Sequence, residues 1–333
     1  MKTAVVGSGG WGTALALVLC RNGHDTVLWS HNPEKAAALC VSRENPMLKG
    51  IFLPPELDIS ADPACVSGRK LVVIASPSFA IANVCRTVAP YLDGDAVLVS
   101  VTKGIDKDTQ MRMSQIVERE TGHSVVALTG PSHAEEVARG IPTGCVAASP
   151  NQALAELVQD AFMSDTFRVY TSPDIIGAEL GGALKNVIAL CAGVCDGLGY
   201  GDNTRAMLMT RGLTEIARLG VSMGAQKDTL AGLAGVGDLI VTCTSQHSRN
   251  HRSGILIGQG KSPQQAMEEV GAVVEGYYAT ESAWILGQQQ GVEMPIVGAA
   301  HAVLYEGVPA REAVQKLLTR QKKAESEDAG WLS

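Results

Sequence analysis

A glycine-rich segment near the N-terminus has the spacing of a dinucleotide-binding loop. Gly7, Gly9 and Gly12 form the pattern GxGxxG between an apolar run and a helix-like run. In this pattern the first glycine permits a tight turn, the second lets the backbone approach a pyrophosphate, and the third allows close helix packing. Free N–H groups at the start of the next helix then face the phosphate oxygens. An ordinary glycine turn is the alternative, but the segment lies between a predicted strand and helix, as a dinucleotide site requires.

The end of the second predicted strand bears on the choice of cofactor. Trp29 is followed by Ser30, His31 and Asn32, where NAD-selective sites usually carry Asp or Glu for the ribose 2′-hydroxyl. With no carboxylate to repel a 2′-phosphate, and with Lys35 as a further donor, the segment favours NADPH over NADH. The alternative for His31 is a solvated turn residue.

A lysine in the second half of the chain is a candidate for proton transfer. Lys185 lies in the apolar run GGALKNVIALCAGV, where a lysine is costly to bury unless it is paired or functional. On a helix it shares a face with Gly177 and Gly181, which would let a ligand or another backbone approach closely. The alternative for the lysine is a side chain that snorkels to water.

Proton exchange near neutral pH requires a lysine pKa well below its usual value of about 10.4. Desolvation or a second cation can lower it. Lys103, in SVTKGI at the end of a predicted strand, could be that cation, because strand carboxyl ends border the ligand crevice of doubly wound sheets. A solvated loop lysine is the alternative.

Two further segments have the composition of anion-binding loops. Gly130 and Ser132, in GPSHAE, come between a predicted strand and a helix and offer an anion backbone donors and a hydroxyl. Ser248, Arg249 and Asn250 combine a hydroxyl, a guanidinium and an amide, and arginine suits bidentate contact with phosphate. A plain helix cap and a solvated basic turn are the respective alternatives.

The order of these segments indicates two domains. Residues 1–173 alternate β-rich runs with helix-like runs, which predicts a doubly wound, mainly parallel Rossmann sheet. Residues 174–333 are rich in Ala, Leu, Gly and Met at helical spacing, which predicts an all-helical domain to about Lys322 and a frayed polar tail over 324–333. Seven strands are predicted: Thr3–Val6, Thr26–Trp29, Leu71–Ala75, Ala96–Val101, Val125–Leu128, Gly144–Ala148 and Phe167–Tyr170.

Composition excludes several other classes of function. The net charge of -7 disfavours broad binding to nucleic acid or anionic lipid. No apolar run is expected to be long enough for a membrane span. The eight scattered cysteines, without a CxxC pair, fit reduced thiols in the cytoplasm. His247 and His251 have the spacing of metal ligands, but no carboxylate stands between them as in zincins, so no metal is predicted.

With these segments in view, the chain closely resembles the bacterial-type NAD(P)-dependent glycerol-3-phosphate dehydrogenase family. The resemblance rests on GSGGWGTALA, SVTKGI, GPSHAEEV, ALKNVIAL, GVGDLIVTCTS, SRN and GAVVEG, which span the chain in the family's order. It implies a helical domain like that of 6-phosphogluconate dehydrogenase, a cytoplasmic homodimer, and NADPH or NADH as cofactor. The implied reaction is reversible reduction of dihydroxyacetone phosphate to sn-glycerol 3-phosphate, which feeds phospholipid synthesis.

The resemblance also implies roles for individual residues. Lys185 would be the catalytic lysine, Lys103 would add positive charge, and Asp238 and Asn186 would orient Lys185. The implied substrate contacts are Lys103, Gly130, Ser132, Lys185, Asp238, Thr242, Ser248, Arg249 and Asn250. The implied cofactor contacts are Gly7, Gly9, Gly10, Trp11, Gly12, His31, Lys103, Ala134, Arg249, Val273 and Glu275.

Two departures from the family pattern bear on these roles. Many relatives carry Arg at the position of His31, which weakens the expected preference for NADPH. The usual Tyr-Leu-Pro-Gly is Met47-Leu48-Lys49-Gly50 here, so no tyrosine contact is carried over. Two other functions remain as alternatives: another β-hydroxyacid-type dehydrogenase, which would read a carboxylate, and a non-catalytic NADPH-sensing protein.

Overall fold

An eight-stranded sheet organises the first half of the chain in this computed structural model, which describes residues 1–325. The strand order within the described residues is β3-β2-β1-β4-β5-β6-β7-β8, and β7 pairs antiparallel with β6 but parallel with β8, so β7 and β8 run opposite to the other six strands. This confirms the prediction of a doubly wound, mainly parallel sheet. The strands are β1 (Lys2–Val6), β2 (Asp25–Trp29), β3 (Asp58–Ser60), β4 (Leu71–Ile74), β5 (Val97–Ser100), β6 (Val125–Thr129), β7 (Thr143–Ala148) and β8 (Phe167–Ser172).

The predicted count of seven strands was wrong because the edge strand β3 has only three residues. Its sequence DIS contains a single apolar residue, so it gives no apolar run. The central strands, such as β4 (LVVI), are wholly buried, as expected for parallel strands covered on both faces.

Helices cover both faces of this sheet in the Rossmann domain. Two hydrophobic clusters of buried residues, one built on Val5 and Leu28 and the other on Ala4 and Val27, lie on opposite faces of the same strands. The helices are α1 (Gly10–Arg21), α2 (Pro33–Ser42), α3 (Ile81–Val88), α4 (Met113–Thr121), α5 (Ala134–Arg139) and α6 (Gln152–Phe162).

The helical domain that follows confirms the prediction for the second half. Its helices are α7 (Ile175–Gly197), α8 (Asp202–Ser222), α9 (Lys227–Ala231), α10 (Asp238–Thr244), α11 (Arg249–Gly258), α12 (Pro263–Val270), α13 (Glu275–Gln290), α14 (Pro295–Tyr305) and α15 (Ala310–Leu318). A π-helical turn, Leu233–Gly237, leads directly into α10. Of the tail predicted to be frayed, residues 326–333 lie outside the described residues.

The long helix α7 forms the centre of the helical domain, and glycines let α11 pack directly on it. A Cβ at Gly193 would collide with the carbonyl oxygen of His251, and a Cβ at Gly254 with that of Leu190. Backbone therefore meets backbone along this contact, which fixes the start of α11 relative to Lys185 on α7.

Helix α7 also corrects one expectation from composition. It has the length and mean hydropathy of a membrane span, although no such run was anticipated. Of its most apolar window, 83% is buried inside the protein. A core helix satisfies the same test, and burial inside the domain accounts for the apolar composition of α7.

Candidate active site

The glycine-rich loop has the geometry of a pyrophosphate site. Gly7 has a φ of +124°, and a Cβ there would collide with the carbonyl oxygen of Ala75. A Cβ at Gly12 would collide with the carbonyl oxygen of Gly7, whereas nothing lies within 4 Å of the Cβ position of Gly9. No side chain caps the start of α1, so its first N–H groups are free to face an anion. The loop therefore fits the phosphates of a dinucleotide.

Several polar groups lie after β2, where the sequence predicts the binding of a cofactor 2′-phosphate. The Lys35 ammonium donates to the carbonyl oxygen of Ser8 at 2.8 Å, and burial lowers the pKa of Lys35. The Ser8 and Ser30 hydroxyls are bonded at 2.9 Å. His31 is exposed. Asn32 caps α2 by accepting from the Lys35 backbone N–H at 2.9 Å, which leaves its amide group as a donor.

Two lysines from the two domains share one buried carboxylate. Lys103, after β5, donates to Oδ2 of Asp238 at 2.6 Å and to the carbonyl oxygen of Gly130 at 3.0 Å. Lys185, on α7, donates to Oδ1 of Asp238 and to the Thr242 hydroxyl, the latter at 2.7 Å. Asp238 is 0% exposed and Lys185 is 5% exposed. The predicted pairing of Lys103 with Lys185 therefore occurs, through Asp238.

This environment makes Lys185 unusually acidic. Burial lowers the pKa of Lys185 to about 7, with the positive charge of Lys103 acting in the same direction and the Asp238 carboxylate opposing both. An ammonium with such a pKa can release and regain a proton near neutral pH. The sequence-based requirement for desolvation and a second cation is thus met at one site.

The glycine face of α7 is filled by protein. A Cβ at Gly181 would lie 2.5 Å from the carbonyl oxygen of Ala234 in the π-helical turn, and one at Gly177 would collide with the Asp174 carboxylate. Of the two interpretations of this face, close packing of protein atoms rather than of a ligand is therefore observed. The close packing brings the π-helical turn, and hence Asp238 at the start of α10, against the helix of Lys185. Such π-helical turns often occur at functional sites.

The predicted phosphate-loop residues lie at the start of α11. Ser248 is buried and caps the helix by accepting from the His251 backbone N–H at 3.2 Å, which differs from the alternative of a solvated turn. Arg249 is exposed. The Asn250 amide donates to Oδ1 of Asn186 at 3.0 Å and accepts from the Gly276 backbone N–H at 2.8 Å. Asn250 therefore links α11 to both α7 and α13, and no bond between the Asn186 side chain and Lys185 is among those described.

The loop after β6 joins the two candidate binding regions. Gly130 has a φ of +149°, and a Cβ there would lie 2.8 Å from the carbonyl oxygen of Gly144. The carbonyl oxygen of Gly130 accepts from Lys103 and, at 3.0 Å, from the Ser132 hydroxyl. Ala134 lies beside the glycine-rich loop, with its Cβ 3.8 Å from the Cβ position of Gly10.

Glu275, a predicted cofactor contact, connects the helical domain to the Rossmann domain. Its carboxylate accepts from the Ser78 hydroxyl at 2.7 Å. Burial raises the pKa of Glu275, against the influence of the Ser78 hydrogen bonds and of Arg249. Val273 is half-buried next to this contact. The Trp11 indole N–H is buried with no hydrogen-bond partner among the described residues, which makes it a free donor close to the glycine-rich loop.

Sequence reasoning missed two residues at this site. Ser78, the partner of Glu275, follows β4, and its place after a strand carboxyl end was the available signal. His133 lies inside GPSHAE, where only its neighbours were singled out. Burial lowers the pKa of His133, as do the positive charges of Lys185 and Lys103. Its Nε2 atom is buried and unpartnered within residues 1–325.

The two histidines with metal-ligand spacing do not form a metal site. The His251 ring bonds to Oδ2 of Asp196 at 2.8 Å, whereas His247 is exposed. Within residues 1–325, no group of three His, Cys, Asp or Glu side chains is arranged to hold a metal ion.

Two family models match the two halves of the chain in order. The model for the NAD-dependent glycerol-3-phosphate dehydrogenase N-terminus matches residues 2–155. The model for the C-terminus of the same family matches residues 174–315.

Full-length relatives agree with these models. The glycerol-3-phosphate dehydrogenase (NAD(P)+) of Pelotomaculum thermopropionicum is 52% identical over 98% of this chain and 95% of the relative. The enzyme of that name from Fusobacterium nucleatum is 48% identical over 98% of both. The crystal structure of glycerol-3-phosphate dehydrogenase from Coxiella burnetii is 38% identical, with a TM-score of 0.92 over 96% of this chain and 99% of that chain. The chain therefore belongs to the NAD(P)-dependent glycerol-3-phosphate dehydrogenase family of oxidoreductases.

Proposed function

We propose that this protein reduces dihydroxyacetone phosphate reversibly to sn-glycerol 3-phosphate, with Lys185 as the proton donor. The observation that carries the proposal is the buried Lys185 ammonium, which shares Asp238 with Lys103 at the junction of the two domains. When bound, the reduced nicotinamide supplies a hydride to the C2 carbonyl carbon of the substrate. The Lys185 ammonium gives its proton to the carbonyl oxygen, so that an alcohol forms and a neutral amine remains, which regains a proton from water.

The surrounding charges adapt Lys185 to this role. Asp238 holds the ammonium in place and keeps it protonated, whereas burial and Lys103 make the proton easy to release. Lys103 also places positive charge near the oxygen that becomes negative during reduction. Thr242 accepts from Lys185 and fixes the direction of its remaining N–H bonds.

A phosphate contact at the start of α11 would select the substrate. Arg249 is exposed and unrestrained by any hydrogen bond described for its guanidinium, so it can turn toward a phosphate in bidentate geometry. We place Ser248, Asn250, Gly130 and Ser132 around the same substrate. The class of β-hydroxyacid dehydrogenases would instead need a site for a carboxylate.

The cofactor is placed along the glycine-rich loop. Gly7, Gly9 and Gly12 hold the pyrophosphate in this proposal, and Lys35 with His31 favours the 2′-phosphate of NADPH over NADH. The other cofactor contacts that we propose are Gly10, Trp11, Lys103, Ala134, Arg249, Val273 and Glu275.

The test is loss of NADPH absorbance on addition of dihydroxyacetone phosphate, repeated with NADH and with simple hydroxy acids and their ketones. Lys185→Met should abolish turnover while NADPH binding persists, because methionine keeps most of the length of the side chain and removes the ammonium group that donates the proton. Lys107→Met, at an exposed position, is the matched control. Turnover by Lys185→Met close to that of the control would refute the proposed role.

A second variant tests substrate capture. Arg249→Ala should raise the KM for dihydroxyacetone phosphate much more than it lowers kcat, because a lost ground-state contact weakens binding of substrate and transition state alike. Arg252→Ala, three residues along the same helix, is the control. An unchanged KM would exclude Arg249 as the phosphate contact.

The remaining assignments are proposals of the same kind. We place the enzyme in the cytoplasm, where all eight cysteines would stay free, as they are here, and we divide the chain into units 1–173 and 174–333. A homodimer is expected from the family resemblance. Light scattering should give about twice the chain mass of 34.8 kDa, and a monomer mass would contradict the dimer.

A further inference from the structure

A buried carboxylate on α7 lies outside the reaction site proposed above. Oε1 of Glu179 accepts from the Ser114 backbone N–H at 2.7 Å. Oε2 accepts from the Ser114 hydroxyl at 2.6 Å and from the Arg112 guanidinium. Glu179 is 8% exposed and Ser114 is 1% exposed. Because a buried carboxylate is strongly unfavourable without partners, this full set of donors holds Glu179 firmly in one position.

The donors to Glu179 all belong to the Rossmann domain. Arg112 is the residue that precedes α4 and Ser114 is the second residue of that helix, where free N–H groups carry partial positive charge. The bonds therefore join α7 to α4 across the domain boundary. Two other carboxylates of the helical domain make comparable contacts, Asp238 with Lys103 and Glu275 with Ser78. Of these three contacts, that of Glu179 is the one away from the proposed ligand positions.

Between Glu179 and Lys185, helix α7 rests directly on the end of the sheet. A Cβ at Gly182 would lie 2.8 Å from the Thr129 hydroxyl oxygen and 3.8 Å from Cγ of Lys103. Thr129 is the last residue of β6. The helix thus has no free space on this side, and its spacing from Lys103 depends on how tightly it is held against the Rossmann domain.

We propose that Glu179 is a positioning residue, whose bonds to α4 hold α7 against the Rossmann domain and keep Lys185 and Asp238 in register with Lys103. The inference rests on the proposed function, since it assigns the proton transfer to Lys185. Lys185 and Asp238 belong to the helical domain and Lys103 to the Rossmann domain, so a shift of α7 separates Lys103 from the other two. A displacement of about 1 Å can lower turnover by about a hundredfold.

The acidity of Lys185 reports such a shift. The titratable groups that face Lys185 are Asp238 and Cys243 on α10, Lys103 after β5, His133 before α5 and Cys145 on β7. Asp238 moves with the helical domain. Burial and the Lys103 charge, which lower the pKa of Lys185, both weaken if α7 withdraws. The pKa of Lys185 then rises, and the alkaline fall in kcat for ketone reduction moves to higher pH.

The experiment compares full-length Glu179→Gln with the wild type in kcat and KM across pH, with NADPH and dihydroxyacetone phosphate. Glutamine keeps the shape of the side chain but turns an amide donor toward the Ser114 and Arg112 donors. We expect kcat to fall about tenfold or more. The alkaline fall in kcat should move to higher pH by about half a pH unit or more, and the KM for NADPH should change little. Glu120→Gln, which removes ion pairs with Arg86 and Arg119 at the end of α4, should match the wild type.

The possible results distinguish a positioning role of Glu179 from a merely structural one. A lower melting temperature of Glu179→Gln with unchanged kcat and an unchanged alkaline limb would show a merely structural role and overturn it. If Glu179→Gln does not fold, Ser114→Ala carries the test, because it removes one donor and keeps the backbone N–H and the Arg112 pair. A smaller change in the same direction supports the inference, and no change overturns it.

Failure of the proposed function can be told apart from failure of this inference. A wild-type enzyme that does not oxidise NADPH with dihydroxyacetone phosphate would refute the function. The pKa of the Lys185 amine, followed by NMR of labelled lysine, would still test the position of α7. An unchanged pKa in Glu179→Gln would overturn the inference irrespective of the reaction.

Discussion

Lys103 controls the acidity of Lys185 in this arrangement, so Lys103→Met should move the pH dependence of ketone reduction. The two ammonium groups bind opposite oxygens of the Asp238 carboxylate, which puts them about 5 Å apart by ordinary hydrogen-bond geometry. Two like charges at that distance repel by about 3 kcal/mol at an effective dielectric constant of about 20, or about 2 pKa units. The Lys103 side chain is 21% exposed. Because water screens part of the repulsion, we expect Lys103 to lower the pKa of Lys185 by about one unit.

The direction of this change follows from the role of the ammonium. The proposed reaction needs Lys185 protonated, so kcat should fall as pH rises through the pKa of Lys185, which is about 7 in the intact site. Without the Lys103 charge that pKa rises, and the alkaline limb of the kcat profile should move to about pH 8. The variant should also turn over more slowly, because positive charge near the developing alkoxide is lost.

The assay is the initial rate of NADPH oxidation at saturating substrate between about pH 6 and pH 10, a range that brackets both positions of the limb. Asp238→Asn supplies a control of opposite sign, because removal of the carboxylate lowers the pKa of Lys185 and should move the limb to lower pH. The reasoning would be refuted if the alkaline fall in kcat stayed at the same pH in Lys103→Met. It would also be refuted if the fall moved in the same direction in both variants.

Three further predictions follow from separate parts of the structure. Gly9→Ala should weaken NADPH binding without loss of stability, whereas Gly12→Ala should also lower the melting temperature, because only the second Cβ collides with backbone; equal stability losses would contradict this. Lys35→Met should lower kcat/KM for NADPH more than for NADH, and an unchanged ratio would remove Lys35 from cofactor selection. Burial raises the pKa of Glu215 to about 7 from its ordinary 4.5. The contribution of protonated Glu215 to the free energy of unfolding is therefore fully present below about pH 4.5. It is lost as pH rises to 7, and the loss is at most about 3 kcal/mol. Glu215→Gln should flatten that part of the stability profile, and an unaltered slope in chemical unfolding would exclude Glu215 as its source.

The sequence predicted well wherever a local pattern determines local structure. The glycine spacing of Gly7, Gly9 and Gly12 predicted the loop because each glycine meets a requirement set by its immediate neighbours. The apolar runs predicted the buried strands for the same reason. The strand Asp58–Ser60 was missed because an edge strand of three residues buries too little apolar surface to leave a pattern.

Contacts between distant segments could not be derived from the sequence. The partners of Lys185 lie 53 and 57 residues away at Asp238 and Thr242, and no spacing rule connects them. Asn186 was expected to orient Lys185, yet its described side-chain bond is to Asn250. Adjacent residues of a helix point about 100° apart, so a neighbour in sequence is a poor guide to which side chain a lysine contacts.

The division of the site between two domains explains the proposed role of a buried lysine as an acid. A lysine buried alone would lose its proton outright, and one paired with a single carboxylate would hold it too strongly. Asp238 resolves this by binding one lysine from each domain, because the second cation weakens its hold on the first. In this proposal the acidity of Lys185 depends on the alignment of the domains, which are joined by the bonds of Glu179 and Glu275 to the Rossmann domain. Loss of that alignment should therefore shift the pH dependence of proton transfer as well as slow the reaction.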